Sequence, residues 1–222
     1  MEHLGEDDWV TMSQAGLEPI RAGRFFVHTP VHREAIPAGA IAYEIDAGLA
    51  FGTGHHATTA GCLAALDRLE VTGKAFANIA DIGTGTGLLA FAALSLWPEA
   101  KGIATDIDPI SIDVTNDNAR INGVTIGHAP GQLLLAVADG MDHPMLATRA
   151  PFDLLIANIL AGPLIELAPT FAASVAPGAS VVVAGLLDTQ ADAVIAAYEA
   201  EGMKVVERGG GEWCVLVLDA AD

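Results

Sequence analysis

The stretch Asp81-Ile82-Gly83-Thr84-Gly85-Thr86-Gly87 decides the fold class of this chain. It follows the apolar run Phe76–Ile82 and precedes Leu88–Leu96, so it forms the turn between a buried strand and a helix. Glycines at such a turn permit positive φ angles and let the backbone approach a ligand closely. The spacing G-x-G-x-G differs from the dinucleotide fingerprint, because that fingerprint needs glycine where this chain has Leu88. The Gly-Lys-Ser/Thr of a P-loop is also absent from the sequence.

Strand and helix patterns alternate along the chain on both sides of this turn. Seven runs are typical of strands: Phe76–Ile82, Gly102–Ile107, Leu133–Val137, Phe152–Ala157, Ala179–Ala184, Lys204–Glu207 and Trp213–Leu218. Helical patterns separate most of them, and such alternation predicts parallel strands joined by right-handed crossovers. The last two runs have no helix between them and predict an antiparallel pair. We therefore predict an α/β fold with a doubly wound, mostly parallel seven-stranded sheet.

Composition limits the classes of partner. The 222 residues include 28 acidic and 10 basic side chains, for a formal net charge of −18. Such a surface repels phosphate backbones, so we expect no direct binding to nucleic acid. The negative charge can steer a basic protein towards the chain, or it can serve solubility alone.

Targeting and cysteine signals are equally plain. Apolar runs are too short to span a bilayer, and the acidic N-terminus does not resemble a signal peptide. We therefore expect a cytoplasmic protein without a membrane partner. Cys62 and Cys214 lie far apart and lack the spacing of metal ligands. Neither a disulfide nor a metal site is expected, and both thiols should be buried as small apolar groups.

Acidic residues follow the second and third predicted strands. Asp106 lies 23 residues after Gly83, close to the spacing at which an acid accepts hydrogen bonds from the hydroxyls of a ribose. Asp108 precedes Pro109 and suits the N-cap of the next helix. Asp139 follows the third strand, where a ligand contact and an ordinary turn are equally compatible with the sequence.

The glycine turn with Asp81 ahead of it resembles the first motif of class I S-adenosylmethionine-dependent methyltransferases. This resemblance implies a Rossmann-like fold and S-adenosyl-L-methionine as the cofactor. Gly83 and Gly85 would make room for its nucleoside and methionine parts. In this superfamily an acid at the position of Asp139 often accepts a hydrogen bond from the adenine amino group.

Asn158 ends the fourth predicted strand, beside the position expected for the transferring methyl group. Superfamily members that act on amide or adenine nitrogens usually have Asn-Pro-Pro-aromatic here. This chain has Asn158-Ile159-Leu160-Ala161 instead, which favours an aliphatic amine over a planar, stacked substrate. Asn158 is therefore the candidate catalytic residue, which would orient the amine.

Three longer stretches make the resemblance more specific: Asp46–Thr59, Asp81–Gly87 together with Asp106–Pro109, and Ala157–Leu164. They resemble the methyltransferase family that modifies ribosomal protein L11. This resemblance implies that the contacts to the cofactor come from Thr59, Gly83, Asp106 and Asn158. It also implies that the Phe51–Thr59 loop closes over the cofactor and that lysine and N-terminal amines of ribosomal protein L11 are the substrate. We expect a monomer.

Two departures from the family pattern leave alternatives open. The family usually has Thr-His-Pro where this chain has His55-His56-Ala57, and either histidine is a proton acceptor or merely an exposed or packing side chain. The family also carries an N-terminal recognition domain, whereas we interpret residues 1–35 as a linker or lead-in segment and residues 36–222 as the catalytic domain. The alternatives are a methyltransferase for another protein lysine or a small amine, and a cofactor-binding domain that is inactive without its recognition domain.

Overall fold

The computed structural model describes residues 18–45 and 56–221. The strands are β1 (Ile20–Ala22), β2 (Phe25–His28), β3 (Ile41–Glu44), β4 (Asn78–Ile82), β5 (Lys101–Asp106), β6 (Leu133–Val137), β7 (Phe152–Asn158), β8 (Val175–Leu187), β9 (Lys204–Arg208) and β10 (Trp213–Asp219). The α-helices are α1 (His56–Val71), α2 (Leu88–Leu96), α3 (Pro109–Ile121), α4 (Pro144–Arg149), α5 (Ala161–Ser174) and α6 (Asp188–Ala200). A 3-10 helix spans Pro30–Ala35.

Seven strands form one sheet in the order β6-β5-β4-β7-β8-β10-β9. Neighbouring strands from β6 to β8 pair in parallel, whereas β10 is antiparallel to both β8 and β9. The chain runs outward from β4 to β6 and then returns to β7 on the other side of β4. The predicted doubly wound, mostly parallel sheet and its antiparallel closing pair are confirmed. The strand order reverses between β4 and β7, which is where open α/β sheets bind ligands.

Helices cover both faces of the sheet. Buried residues of α1, α2 and α3 share one apolar core with β1–β3, and those of α4, α5 and α6 share the other. Adjacent strand residues alternate between the cores, as Val182 and Val183 do. Burial on both faces explains why the strands are nearly continuous apolar runs. Cys62 belongs to the first core and Cys214 to the second, and the predicted burial of both free thiols is confirmed.

A small sheet, β1-β2-β3, packs against the face that α1 and α2 cover. The hydroxyl of Tyr43 on β3 donates a hydrogen bond to the carbonyl of Phe91 at 2.9 Å and lies 2.5 Å from the hydroxyl of Ser95. Burial raises the pKa of Tyr43 to about 12, so the phenol stays a neutral donor. This sheet includes strands on both sides of residue 35, where we divide the chain, and the division itself remains a prediction.

Two elements were not predicted. Strand β1 pairs antiparallel with β2, but its three residues are too few to show an alternating pattern. Helix α4 begins at Pro144 after His143, whose ring nitrogen Nδ1 accepts a hydrogen bond from the backbone N–H of Met145 at 3.1 Å. Histidine is an uncommon N-cap, so this start signal was not recognised. Across residues 18–45 and 56–221, no helix combines the length and apolarity needed to cross a bilayer.

Candidate functional site

The predicted site residues Gly83, Asp106 and Asn158 lie in one row at the carboxyl edge of the sheet. Ile82, the last residue of β4, pairs with Thr105 on one side and with Ala157 on the other. The next residue of each strand is therefore a member of this row, with Gly83 in the middle. Neighbouring strands lie about 4.8 Å apart, so the backbones of Asp106 and Asn158 are about 10 Å apart. The structure thus brings these three residues together where the strand order reverses.

The three glycines of the turn serve three different purposes, although all have positive φ angles of 73°, 57° and 84°. A Cβ atom on Gly83 would overlap Cγ2 of Ile159, and one on Gly87 would lie 2.5 Å from the Phe91 ring. A Cβ atom on Gly85 would meet no atom within 4 Å. Gly83 and Gly87 therefore permit close packing within the protein, whereas Gly85 leaves open space beside the turn for a ligand.

Asp106 holds this turn in shape. Its Oδ2 accepts a hydrogen bond from the backbone N–H of Gly85 at 2.9 Å, and its Oδ1 accepts one from that of Asp108 at 3.0 Å. Each carboxylate oxygen can accept a further hydrogen bond, so the half-buried group retains capacity for a ligand. Asp108 accepts a hydrogen bond from the N–H of Ile110 at 2.9 Å, which confirms its predicted role as the N-cap of α3.

Asp81 lies beneath the turn and is buried. Its Oδ2 accepts hydrogen bonds from the hydroxyl of Thr84 at 2.6 Å and from the backbone N–H of Ala90 at 3.2 Å. Burial raises the pKa of Asp81 to about 6, the two hydrogen bonds oppose that rise, and the negative charge of Asp106 adds to it. The carboxyl group therefore links the turn to the first turn of α2.

Asn158 has a buried acceptor without a partner. Among the described residues, no group donates a hydrogen bond to its side-chain oxygen Oδ1. An unsatisfied buried acceptor costs about 1–3 kcal/mol, so such an atom is expected at a position where a ligand supplies the donor. The residue itself is half-buried and pairs with Ala184 of β8.

The edge around Asp106 also carries exposed apolar side chains that the sequence analysis did not identify. Ile107 is 65% exposed, Val137 45% and Leu160 63%. Val137 pairs directly with Asp106, and Ile107 follows it in the chain. Large apolar groups left exposed beside polar ones are typical of a surface that contacts an apolar ring. Their signal in the sequence was an apolar residue placed just beyond the end of a strand.

Asp139 lies beyond the end of β6, next to the strand that carries Asp106. Its side chain is exposed, and its backbone carbonyl accepts a hydrogen bond from the N–H of Asp142 at 3.0 Å. The neighbouring Ala138 donates its backbone N–H to the carbonyl of Asp106 at 2.9 Å. The residue therefore belongs to an ordinary turn and also lies at the site, so both interpretations of Asp139 stay open.

Thr59 lies in the first turns of α1, at the same edge of the sheet. Helix α1 passes close to β10 at Gly61, where an added Cβ would lie 2.5 Å from Val215, and Val215 pairs with Ala184 beside Asn158. The helix then descends to the opposite edge, near Asp219. Its N-terminus and Thr59 are therefore on the site's side of the sheet. Residues 46–55 of the first family-like stretch, including His55, and the His56 side chain lie outside the described part.

Comparison with known proteins agrees with this geometry. A family model described as "Ribosomal protein L11 methyltransferase (PrmA)" matches residues 1–221. The ribosomal protein L11 methyltransferase of Brucella suis is 49% identical over 220 residues, which cover 98% of this chain and 74% of that protein.

Solved structures share the fold. The ribosomal protein L11 methylase of Lactobacillus delbrueckii subsp. bulgaricus superimposes with a TM-score of 0.74 at 24% identity, covering 93% of this chain and 99% of its own. The N-methyltransferase NodS of Bradyrhizobium japonicum, in complex with S-adenosyl-L-homocysteine, gives a TM-score of 0.54 at 20% identity, covering 71% and 84%. At these identities the likeness concerns the fold alone.

Proposed function

The chain belongs to the ribosomal protein L11 methyltransferase family, and we propose that the row of Gly83, Asp106 and Asn158 is the site where it binds its cofactor and transfers the methyl group. It is an S-adenosylmethionine-dependent methyltransferase, and its substrate is ribosomal protein L11. The observation that carries the site proposal is the position of these residues, side by side where the strand order reverses.

The residues of this row fit S-adenosyl-L-methionine. The carboxylate of Asp106 can accept hydrogen bonds from both ribose hydroxyls, because each oxygen has so far accepted only one. The open space beside Gly85 admits the nucleoside close to the backbone. The exposed side chains of Ile107 and Val137 offer an apolar surface for the adenine ring, with Asp139 at its border. We include Thr59 at the N-terminus of α1, which suits the carboxylate of the methionine part.

Asn158 is the proposed catalytic residue. When bound, the cofactor supplies an activated methyl group for in-line transfer. The unpartnered Oδ1 of Asn158 can accept a hydrogen bond from the attacking amine and so fix the direction of its lone pair. Such positioning can lower the barrier of a reaction by about 7–11 kcal/mol. We infer that orientation of the amine is the main contribution of this residue.

The target group is an aliphatic amine, such as the side chain of lysine. A free lysine has a pKa of about 10.4 and must lose a proton before it attacks. Transfer from water into a half-buried site lowers the pKa of an amine and favours the neutral nucleophile. The sequence Asn158-Ile159-Leu160-Ala161 also lacks the aromatic ring and the prolines that would hold a planar substrate. We further propose that the protein acts as a monomer.

The test combines calorimetry with a transfer assay. We expect S-adenosyl-L-homocysteine to bind the chain, and labelled methyl groups from S-adenosyl-L-methionine to reach purified ribosomal protein L11. Asn158→Ala should lower the rate of transfer about 10- to 100-fold while the protein remains folded. An Asn158→Ala variant with the rate of the wild type would overturn the assignment of this residue.

The same assay separates the alternatives. Binding of the cofactor without transfer to ribosomal protein L11, but with transfer to another protein or to a small amine, would favour a different substrate. Binding without transfer to any acceptor would favour a domain that needs a separate recognition domain. Failure to bind the cofactor would contradict the proposed site itself.

A further inference from the structure

Ile159, the residue after Asn158, is enclosed by two glycines from neighbouring strands. A Cβ atom on Gly83, at the end of β4, would overlap Cγ2 of Ile159. A Cβ atom on Gly185, in β8, would overlap the carbonyl oxygen of Ile159 and lie 2.7 Å from its carbonyl carbon and 3.0 Å from its nitrogen. The side chain of Ile159 thus packs on one glycine and its main chain packs on the other.

Gly185 is an irregular residue of its strand. Ala184 pairs with Val215 and Leu186 pairs with Cys214, so Gly185 is the extra residue of a β-bulge between β8 and β10. Its φ angle is +88°, in the left-handed region that favours glycine. Asn158 pairs with Ala184, immediately before the bulge. The main chain of Ile159 can therefore lie directly against β8 where Asn158 leaves the sheet.

We propose that Gly185 is a positioning residue for methyl transfer, because it allows the main chain after Asn158 to rest against the bulge of β8 and so fixes Asn158 beside Gly83. This inference rests on the proposed role of Asn158. A side chain at position 185 must displace the carbonyl of Ile159, because contacts closer than 3.0 Å require a shift. The displaced peptide adjoins Asn158, and a misplacement of about 1 Å at a reacting centre can reduce a rate about 100-fold.

The test compares Gly185→Ala with Gly202→Ala. Gly202 also has a positive φ, of 82°, but a Cβ atom there would meet nothing within 4 Å. Both variants therefore bear the backbone strain, and only the first displaces Ile159. For Gly185→Ala we expect kcat to fall about 10- to 100-fold, while KM for S-adenosyl-L-methionine and Kd for S-adenosyl-L-homocysteine change less than about threefold. Gly202→Ala should keep the kcat of the wild type.

A second measurement does not depend on the protein substrate. In NMR spectra, the side-chain amide signal of Asn158, assigned by its absence from Asn158→Asp, should respond to S-adenosyl-L-homocysteine in the wild type and in Gly202→Ala. In Gly185→Ala this signal should be shifted before the ligand is added. An unmoved signal together with a kcat within twofold of that of the wild type would overturn the inference. A wild type that methylates no ribosomal protein L11 would contradict the proposed substrate, and the NMR comparison would still decide the role of Gly185.

A variant on the other side of the enclosed residue covers the case in which Gly185→Ala does not fold. Ile159→Ala removes the atom that packs on Gly83 and leaves the main-chain contact with Gly185 intact. The side chain is only half-buried, so we expect the protein to fold. Because the peptide is then held from one side only, kcat should fall several-fold with little change in KM for the cofactor. An unchanged kcat in Ile159→Ala would likewise contradict the inference.

Discussion

Substitution of Asp106 by alanine is the sharpest test of the cofactor site. The carboxylate has two oxygens, each of which accepts one backbone hydrogen bond, from Gly85 and from Asp108. Two ribose hydroxyls would add two further hydrogen bonds, and hydrogen bonds to a charged acceptor contribute about 1.5–3 kcal/mol each before water replaces the lost partner. We expect a net loss of about 1–3 kcal/mol in binding, or a 5- to 150-fold rise in Kd.

The assay is calorimetric titration with S-adenosyl-L-homocysteine, and the matched control is Asp108→Ala. Asp108 is another acid at the same edge, and it caps α3 through the N–H of Ile110. Its loss should lower the free energy of unfolding by about 1 kcal/mol and leave Kd nearly unchanged. Equal losses of affinity in the two variants, or an unchanged Kd in Asp106→Ala, would refute the assignment of Asp106 to the ribose.

Three further substitutions test the turn and its surroundings. Gly87→Ala should destabilise the protein by about 2–4 kcal/mol in urea unfolding, because the new methyl group overlaps an aromatic ring at positive φ, whereas Gly85→Ala should cost only about 1–2 kcal/mol and mainly weaken cofactor binding. Asp81 has a pKa of about 6 against an ordinary 3.8, so its neutral form adds stability below pH 4 that is lost as the pH rises through 6. The free energy of unfolding of the wild type should therefore fall by up to about 3 kcal/mol relative to Asp81→Asn between pH 4 and 7, and parallel curves would contradict this. Asn122→Ala removes two 2.8 Å hydrogen bonds to the backbone of Glu44 and should cost about 1–3 kcal/mol, measured by urea unfolding.

The sheet and the row of site residues could be predicted because both depend on local patterns. Buried parallel strands are apolar on both faces, so their ends are visible as the first polar or glycine residues. Gly83, Asp106 and Asn158 are such residues, and parallel strands bring their carboxyl ends to one edge. Asp108 before Pro109 was equally readable, because an N-cap needs only its own helix.

The contacts across the sheet could not be predicted in this way. The need for glycine at position 185 arises from the main chain of Ile159, and nothing near Gly185 in the sequence indicates that neighbour. The packing of Tyr43 on Phe91 and Ser95 is likewise a contact between segments far apart in the chain. Patterns with a short period describe which face of an element is buried, but they carry no information on what covers it.

Binding and rate should depend on different halves of this edge. Asp106 and Gly85 lie on the side of β5, where the structure leaves acceptors and open space for the nucleoside. Asn158 lies on the side of β7 and β8, where its direction depends on Ile159 and Gly185. Gly83 separates the two halves by about 10 Å, a distance at which the effects of substitutions usually add. A change on the β5 side should therefore alter the occupancy of the site, and a change on the β8 side should alter how often an occupied site reacts.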